Sequence, residues 1–206
     1  MEDDSRIRCF MLEETDRIEI ALRRLTLGDV HACNGSAHWA RVVIGFISKS
    51  VVQTKEGYLR ALKWDHADER WPAKCERCAY LFQDEDYWDV DLDMIYRRAE
   101  NGAEYMLRQA PPGAMWYANW MGELFVPQDA RGILCVRMPG NFDWCIDGQA
   151  NNCTKPGDRT HHCWIREGVA PDVTAGKNGN TCSAGAGSIQ VPGWHGFLTK
   201  GYLVKS

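Results

Sequence analysis

The chain has 206 residues, of which 45% are hydrophobic and 25% are charged, enough to form the core of one large or two small domains. No stretch approaches the roughly 18 to 20 apolar residues of a membrane helix, and the acidic N-terminus is unlike a signal peptide. The net charge of -4 argues against general attraction to nucleic acid. We therefore expect a cytoplasmic protein that spans no membrane and does not bind nucleic acid.

The cysteine content points to metal ligation. Nine cysteines, an odd number, cannot all pair in disulfides within one chain. Because no export signal is evident, metal ligation and buried thiols explain them better than cross-links. Nine tryptophans and 19 glycines are typical of β-structure with many turns. The composition predicts a mainly β or α+β fold built from antiparallel hairpins.

The first strands are indicated by apolar residues that alternate along residues 7–11 and again along residues 18–22. We interpret these two segments as an early antiparallel pair. The apolar run at residues 38–47 predicts a buried strand.

The clearest hairpin signal lies between Trp88 and Tyr96, where apolar residues alternate with aspartates at positions 89, 91 and 93. Asn101-Gly102 follows, and this dipeptide accepts the positive φ values of a type I′ turn. We interpret the aspartates as the solvated face of a half-exposed strand, with a metal or partner site as the alternative.

Proline and glycine at residues 111–113 interrupt the strand pattern and predict an N-terminal region of residues 1–125 and a C-terminal β-unit of residues 126–206. Within this unit, residues 161–168 and 194–201 share the pattern His-x-aromatic-aliphatic-x-x-Gly. A Pro-Gly pair precedes each copy. The repeat predicts two related hairpins in one β-unit.

A metal site is predicted by Cys75-x-x-Cys78, since this spacing lets two thiolates converge on one ion from a tight turn. Cys33 and His38 lie in a second turn and complete a Cys₃His set. Four protein ligands predict a structural Zn²⁺ site of the zinc-ribbon type rather than a catalytic one.

The alternatives for this site are other ligands, redox chemistry and inert thiols. His31 and His66 are the substitute ligands. A thioredoxin-type redox pair is disfavoured, because the segment around Cys75 and Cys78 lacks the βαβ pattern of that fold.

A further group of cysteines and histidines lies near the C-terminus. It comprises Cys153, Cys163, Cys182, His162 and His195. Their spacings match no ligand template, and free cysteine is among the most buried residue types. We interpret these thiols as core residues, with a second metal site as the alternative.

The segment from residue 133 to residue 204 resembles a family of small, poorly characterised bacteriophage and bacterial proteins. The resemblance rests on a Trp-x-hydrophobic-Asp segment ending at Asp147, on Ser188-Ile189, and on His195 beside an aromatic residue, before a hydrophobic strand and a glycine. Some members carry an ammonia monooxygenase label. Bacterial relatives occur beside ubiquitin-like conjugation genes, where a protease role has been suggested. Members often have Cys-Pro-Gly-Gly-His before the tryptophan, in which the cysteine and histidine are possible metal ligands. This chain has Met138 and Phe142 at those two positions.

A catalytic interpretation comes from the Pro192-Gly193 turn. If it is the two-residue tip of a hairpin, Gln190 opposes His195, and Ser188 lies on the face of His195. A Ser-His dyad also needs a group that orients the imidazole, for which Asp147 is the candidate. A loop one residue longer would change this pairing, and a serine and histidine hydrogen-bonded within a β-layer is the alternative.

Together, these features predict a non-enzymatic phage-type accessory protein, stabilised by zinc, that binds a host, virion or small-molecule partner. The alternative function is a Ser188/His195 hydrolase, either a peptidase or an amidase. Such a protein would act in the host cytoplasm or in the virion. The sequence leaves open whether the chain is an enzyme.

Overall fold

The computed structural model describes residues 6–26, 33, 37–51, 54–177, 179, 182, 184 and 187–206. Its first strands are β1 (Arg6–Arg8), β2 (Phe10–Leu25), β3 (Trp39–Ser48), β4 (Tyr87–Arg98), β5 (Glu104–Met106), β6 (Ala114–Tyr117) and β7 (Leu134–Met138). The later strands are β8 (Phe142–Cys145), β9 (Ile165–Glu167), β10 (Thr174–Gly176), β11 (Ile189–Val191), β12 (Trp194–Thr199) and β13 (Tyr202–Lys205). The helices are α1 (Lys55–Ala61) and the 3₁₀ turns Leu107–Gln109 and Asn119–Met121. The prediction of a mainly β fold is confirmed.

The chain divides into two compact units. The smaller unit comprises residues 14–95, and the larger unit comprises residues 1–13 and 96–206. The division predicted after residue 125 falls inside the larger unit. Within the described part of the chain, no helix is long and apolar enough to cross a membrane.

In the smaller unit, β2 pairs antiparallel with β3 from Arg17↔Ser48 to Leu25↔Trp39, with a bulge after Ile20. The two alternating segments at residues 7–11 and 18–22 do not pair with each other. They belong largely to β2 itself, because no glycine, proline or asparagine separates them to form a turn. The expected early pair is therefore wrong.

The core of the smaller unit lies between these strands, α1 and β4. Thr54 caps α1, since its side-chain oxygen accepts a hydrogen bond from the Gly57 amide at 3.1 Å. The buried residues of this core are Ile18, Ile20, Leu22, Ile44, Tyr58, Trp64 and Val90.

Two aspartates of β4, Asp91 and Asp93, lie close to Arg41 on β3, whereas Asp89 pairs with Lys55. The Arg41 Nη2 atom lies 2.6 Å from Asp93 and 2.8 Å from the buried Glu19, and its Nε atom lies 3.3 Å from Asp91. The strand is half-exposed as predicted, but its aspartates are half-buried and ion-paired rather than freely solvated.

The hairpin predicted at Asn101-Gly102 joins β4 and β5, but its turn is not type I′. Gly102 has a φ of 74°, whereas Asn101 does not have a positive φ. The Asn101 side chain instead accepts a hydrogen bond from the Ala103 amide at 3.1 Å. A longer loop in which only glycine adopts the left-handed conformation replaces the predicted turn.

The larger unit contains a six-stranded sheet in the order β1-β13-β12-β10-β9, with β11 also paired to β12. The two copies of the sequence repeat supply β9 and β12, which each open an antiparallel hairpin. A glycine with positive φ follows each strand, Gly168 at 89° and Gly201 at 74°. The copies differ in environment, since Trp164 is buried whereas the matching Phe197 is exposed.

Three further strands of the larger unit follow the order β6-β7-β8, and the first residues of β2 pair in parallel with β6. The core includes Cys9, Met115, Leu134, Val136, Met138, Ile146, Cys163, Cys182, Ile189, Leu198 and Leu203. Two of the cysteines with candidate ligand roles are thus core residues.

Candidate metal centres

The structure brings together the four residues predicted as metal ligands. We call Cys33, His38, Cys75 and Cys78 the first cluster. Their ligand atoms all lie within 4.8 Å of one another. Cys33, His38 and Cys75 are buried and Cys78 is exposed. This arrangement could hold a metal ion.

The local sequence positions Cys75 and Cys78 through a tight hairpin. An isolated β-bridge joins Lys74 to Leu81, and the Cys75 amide donates to the Tyr80 carbonyl at 2.9 Å. Inside the turn, the amide of Arg77 donates to the Cys75 sulfur at 3.4 Å. Such backbone donors stabilise a thiolate, which is the form of cysteine that binds metal.

His38 reaches the cluster from the start of β3. Its Nδ1 atom lies 3.2 Å from the Cys78 sulfur. Its ring stacks on Tyr80, with ring centroids 4.0 Å apart and planes within 6°. Tyr80 therefore orients the imidazole as a potential metal ligand.

The thiols of the first cluster differ in acidity. Burial opposes the thiolate of Cys75, but the amide of Arg77, a backbone contact from Trp39 and the ring of His38 lower its pKa to about 6. Burial raises the pKa of Cys33 to about 11, and the neighbouring thiols of Cys75 and Cys78 add to this rise. A thiolate therefore forms more readily at Cys75 than at Cys33.

The structure also forms a second cluster, which comprises Cys153, His161, Cys163 and Cys182. Three of its ligands come from the segment between β8 and β9, and Cys182 comes from the segment between β10 and β11. The ligand atoms lie within 4.8 Å of one another. The sequence grouped the same three cysteines, as core thiols or alternatively as a second metal site, but with His162 and His195 in place of His161.

The histidine in the second cluster is not one of the two that the sequence suggested, His162 and His195. His161 lies in the second cluster, whereas Nε2 of His162 lies 2.7 Å from the Val126 carbonyl oxygen. His195 is also outside the cluster. The substitute ligand His66 instead contacts Trp64, Trp71 and Trp88. The other substitute, His31, lies outside the described residues.

Met138 and Phe142 stand where the phage and bacterial proteins that residues 133–204 resemble often carry Cys and His. Met138 and Phe142 pair with each other across β7 and β8. Met138 is fully buried and Phe142 is 42% exposed. This strand pair therefore has apolar side chains at the two positions where metal ligands were in question.

The hairpin at Pro192-Gly193 has the two-residue turn that the sequence predicted. Val191 pairs with Trp194 and Gln190 pairs with His195. Gly193 has a φ of 76°, which suits the third position of a type II turn. His195 is exposed, and its Nδ1 atom lies 2.9 Å from the hydroxyl oxygen of Ser206. Ser188, the predicted nucleophile, is half-buried just before β11.

Asp147, the predicted third member of this site, is fully buried and has other partners. Its Oδ2 atom accepts a hydrogen bond from the Leu134 amide at 2.9 Å. Its Oδ1 atom lies 3.2 Å from Nε of Arg166. Burial raises the pKa of Asp147, while the Leu134 amide and Arg166 oppose that rise. The catalytic role of Ser188, His195 and Asp147 stays a prediction.

No protein-family model, curated protein or solved structure matches the chain. The family resemblance of residues 133–204 therefore stays a prediction.

Proposed function

We propose that this chain is a zinc-stabilised accessory protein of the phage type that acts by binding a host, virion or small-molecule partner. The observation that carries the proposal is the first cluster, in which three thiols and one imidazole converge beside a tight hairpin.

Zinc is the metal that this donor set favours. Soft thiolate ligands favour Zn²⁺, Cu⁺ or iron–sulfur clusters, and a tetrahedral set of three sulfurs and one imidazole nitrogen is typical of structural zinc. Four protein ligands leave no open position for water or substrate. The ion then contributes to folding rather than to a reaction.

A groove beside the first cluster supports a binding role. It has a volume of about 960 Å³ and is lined by residues 69–79 together with Ala40, Val42 and Leu81. Because Cys75 and Cys78 belong to its wall, the zinc ion would hold the groove in shape. Leu81, which belongs to the lining and pairs with Lys74, is 62% exposed and offers an apolar contact.

The test of the binding role compares two exposed leucines. The immobilised zinc-loaded protein is used to capture a partner from purified virions and from host extract, and its affinity is then measured. Leu81→Asp should weaken binding at least about tenfold, which corresponds to roughly 1.4 kcal/mol. Leu124, which is 60% exposed, lies outside the groove lining, so Leu124→Asp is the matched control. Equal effects of the two substitutions, or no captured partner, would contradict the proposal.

The second candidate function is the Ser188/His195 hydrolase, and the register of the β11–β12 hairpin favours it. Continued alternation from Gln190 would put Ser188 on the exposed face that carries His195. The burial of Asp147 weighs against it, because Arg166 and the Leu134 amide are the close partners of its two carboxylate oxygens.

A further inference from the structure

The second cluster offers four potential ligands within the larger unit. Cys163 and Cys182 are fully buried, and Cys153 is half-buried. None of its residues belongs to the smaller unit, which contains the first cluster. Any ion held here is therefore additional to the zinc proposed above.

Two distances between ligand atoms are close to those expected around a tetrahedral zinc ion. Zn–S bonds of about 2.3 Å place two thiolate sulfurs about 3.8 Å apart in a tetrahedron. The sulfurs of Cys153 and Cys182 lie 3.7 Å apart. A disulfide would require about 2.05 Å. The His161 Nε2 atom lies 3.9 Å from the Cys163 sulfur, near the roughly 3.6 Å expected for a nitrogen and a sulfur on one zinc ion.

All three sulfurs accept backbone amide hydrogen bonds. The amide of Lys155 donates to the sulfur of Cys153 at 3.3 Å. The donor lies two residues after the cysteine, as Arg77 does after Cys75 in the first cluster. The amide of Ala150 donates to Cys163 at 3.3 Å. For Cys182, both the amide and the hydroxyl of Thr154 are donors, at 3.4 Å and 3.3 Å. Donors of this kind stabilise thiolates and orient metal ligands.

An ion at the second cluster would have a structural role in the surrounding fold. Residues 146–164 contain no strand or helix. Connections longer than about 12 to 15 residues without secondary structure are uncommon in compact domains. A cross-link between this segment and the segment that carries Cys182 would supply the constraint that strand pairing does not.

We propose that the second cluster binds a second zinc ion, which ties the segment between β8 and β9 to the segment between β10 and β11. The ion replaces the protons of the thiols that are still protonated, so binding releases protons. His161 is the imidazole ligand of this ion. Its neighbour His162 is not a ligand, because it faces the Val126 carbonyl group.

The adjacent histidines provide the test. Untagged protein purified without chelators is measured by elemental analysis and by native mass spectrometry. We expect two zinc ions per chain in the parent, one in His161→Ala and two in His162→Ala. Cys78→Ser should also retain one ion, and His161→Ala combined with Cys78→Ser should retain none. This combination separates failure at the second cluster from failure at the first.

Three results would overturn the proposal. The first is a parent protein that holds at most one zinc ion per chain, if Cys78→Ser is the only substitution that removes this ion. The second is equal zinc content in His161→Ala and His162→Ala. The third is a disulfide between Cys153 and Cys182, seen as the loss of two hydrogens in the denatured intact mass. If His161→Ala does not fold, the number of Co²⁺ ions that the metal-free parent binds is the test of the second site. Two equivalents with tetrahedral thiolate absorption support the second site, and saturation at one equivalent contradicts it.

Discussion

Asp147 and Arg166 form a buried ion pair, in which Oδ1 of the carboxylate lies 3.2 Å from Nε of the guanidinium. The side chains are 0% and 4% exposed. Arg166 also lies 3.2 Å from Asp129, so one buried cation serves two carboxylates. Removing the arginine would leave Asp147 with the Leu134 amide as its remaining close partner.

We expect Arg166→Met to destabilise the protein by about 3–5 kcal/mol near neutral pH, because an uncompensated charge stays buried. Burial already raises the folded-state pKa of Asp147 above its unfolded value of about 3.9. The charged carboxylate therefore costs stability, and this cost falls as the pH drops through the folded-state pKa. Loss of Arg166 raises that pKa further, so the difference between variant and parent should shrink at about pH 5.

Urea unfolding of parent and variant at both pH values measures this difference. Combining Arg166→Met with Asp147→Asn should recover much of the lost stability, since it removes the stranded charge. Arg97→Ala is the control. Its side chain is 54% exposed in an ion pair with Glu104, and its loss should cost less than about 1 kcal/mol. A stability of Arg166→Met equal to that of the parent at neutral pH would contradict the prediction.

The first cluster predicts a strong dependence of folding on metal. Cys75→Ser should lose one zinc ion and markedly lower the melting temperature of the smaller unit, because structural zinc contributes directly to folding. Zinc content after extensive dialysis and thermal melting are the measurements. Cys145→Ser is the control, since Cys145 is in neither cluster. The prediction fails if dialysed parent holds less than about half an equivalent of zinc and Cys75→Ser melts like the parent.

The hydrolase alternative predicts that alanine substitutions at Ser188 and His195 affect enzymatic activity but not stability. If Ser188 and His195 form a catalytic dyad, each alanine substitution should abolish turnover with little change in melting temperature. A fluorophosphonate probe should then label Ser188. If the residues are structural, the substitutions should alter stability without affecting any turnover. Because His195 is exposed and bonds to Ser206, we expect its loss to cost about 1 kcal/mol or less. Absence of labelling in folded protein would exclude the dyad.

Two glycines in neighbouring strands should respond differently to alanine. A Cβ atom on Gly196 would lie 2.1 Å from the Val204 carbonyl oxygen and 2.7 Å from the Trp194 ring, so β12 and β13 would have to separate. We expect Gly196→Ala to cost about 1–3 kcal/mol in denaturant unfolding. Gly176 ends β10 with no atom within 4 Å of such a Cβ, so Gly176→Ala should be close to neutral. Equal effects would contradict the strand packing.

The sequence alone was sufficient where the determining interactions are local. The Cys75-x-x-Cys78 spacing indicates a tight turn with converging sulfurs, and the structure places that turn in a hairpin. Pro192-Gly193 likewise predicted the pairing of Gln190 with His195. In both cases the backbone preferences of a few adjacent residues decide the geometry.

Tertiary structure alone decided which distant groups meet. The adjacent residues His161 and His162 cannot be told apart as ligands by their spacing from the cysteines. The path of the long segment between β8 and β9 brings His161, and not His162, to the cysteines. Asp147 lies in a pattern that suits catalysis, yet packing against Arg166 buries it and supplies its counter-charge. Local preferences set turns and strand registers, whereas burial and the choice of ligand depend on contacts between residues far apart in the chain, which no local spacing encodes.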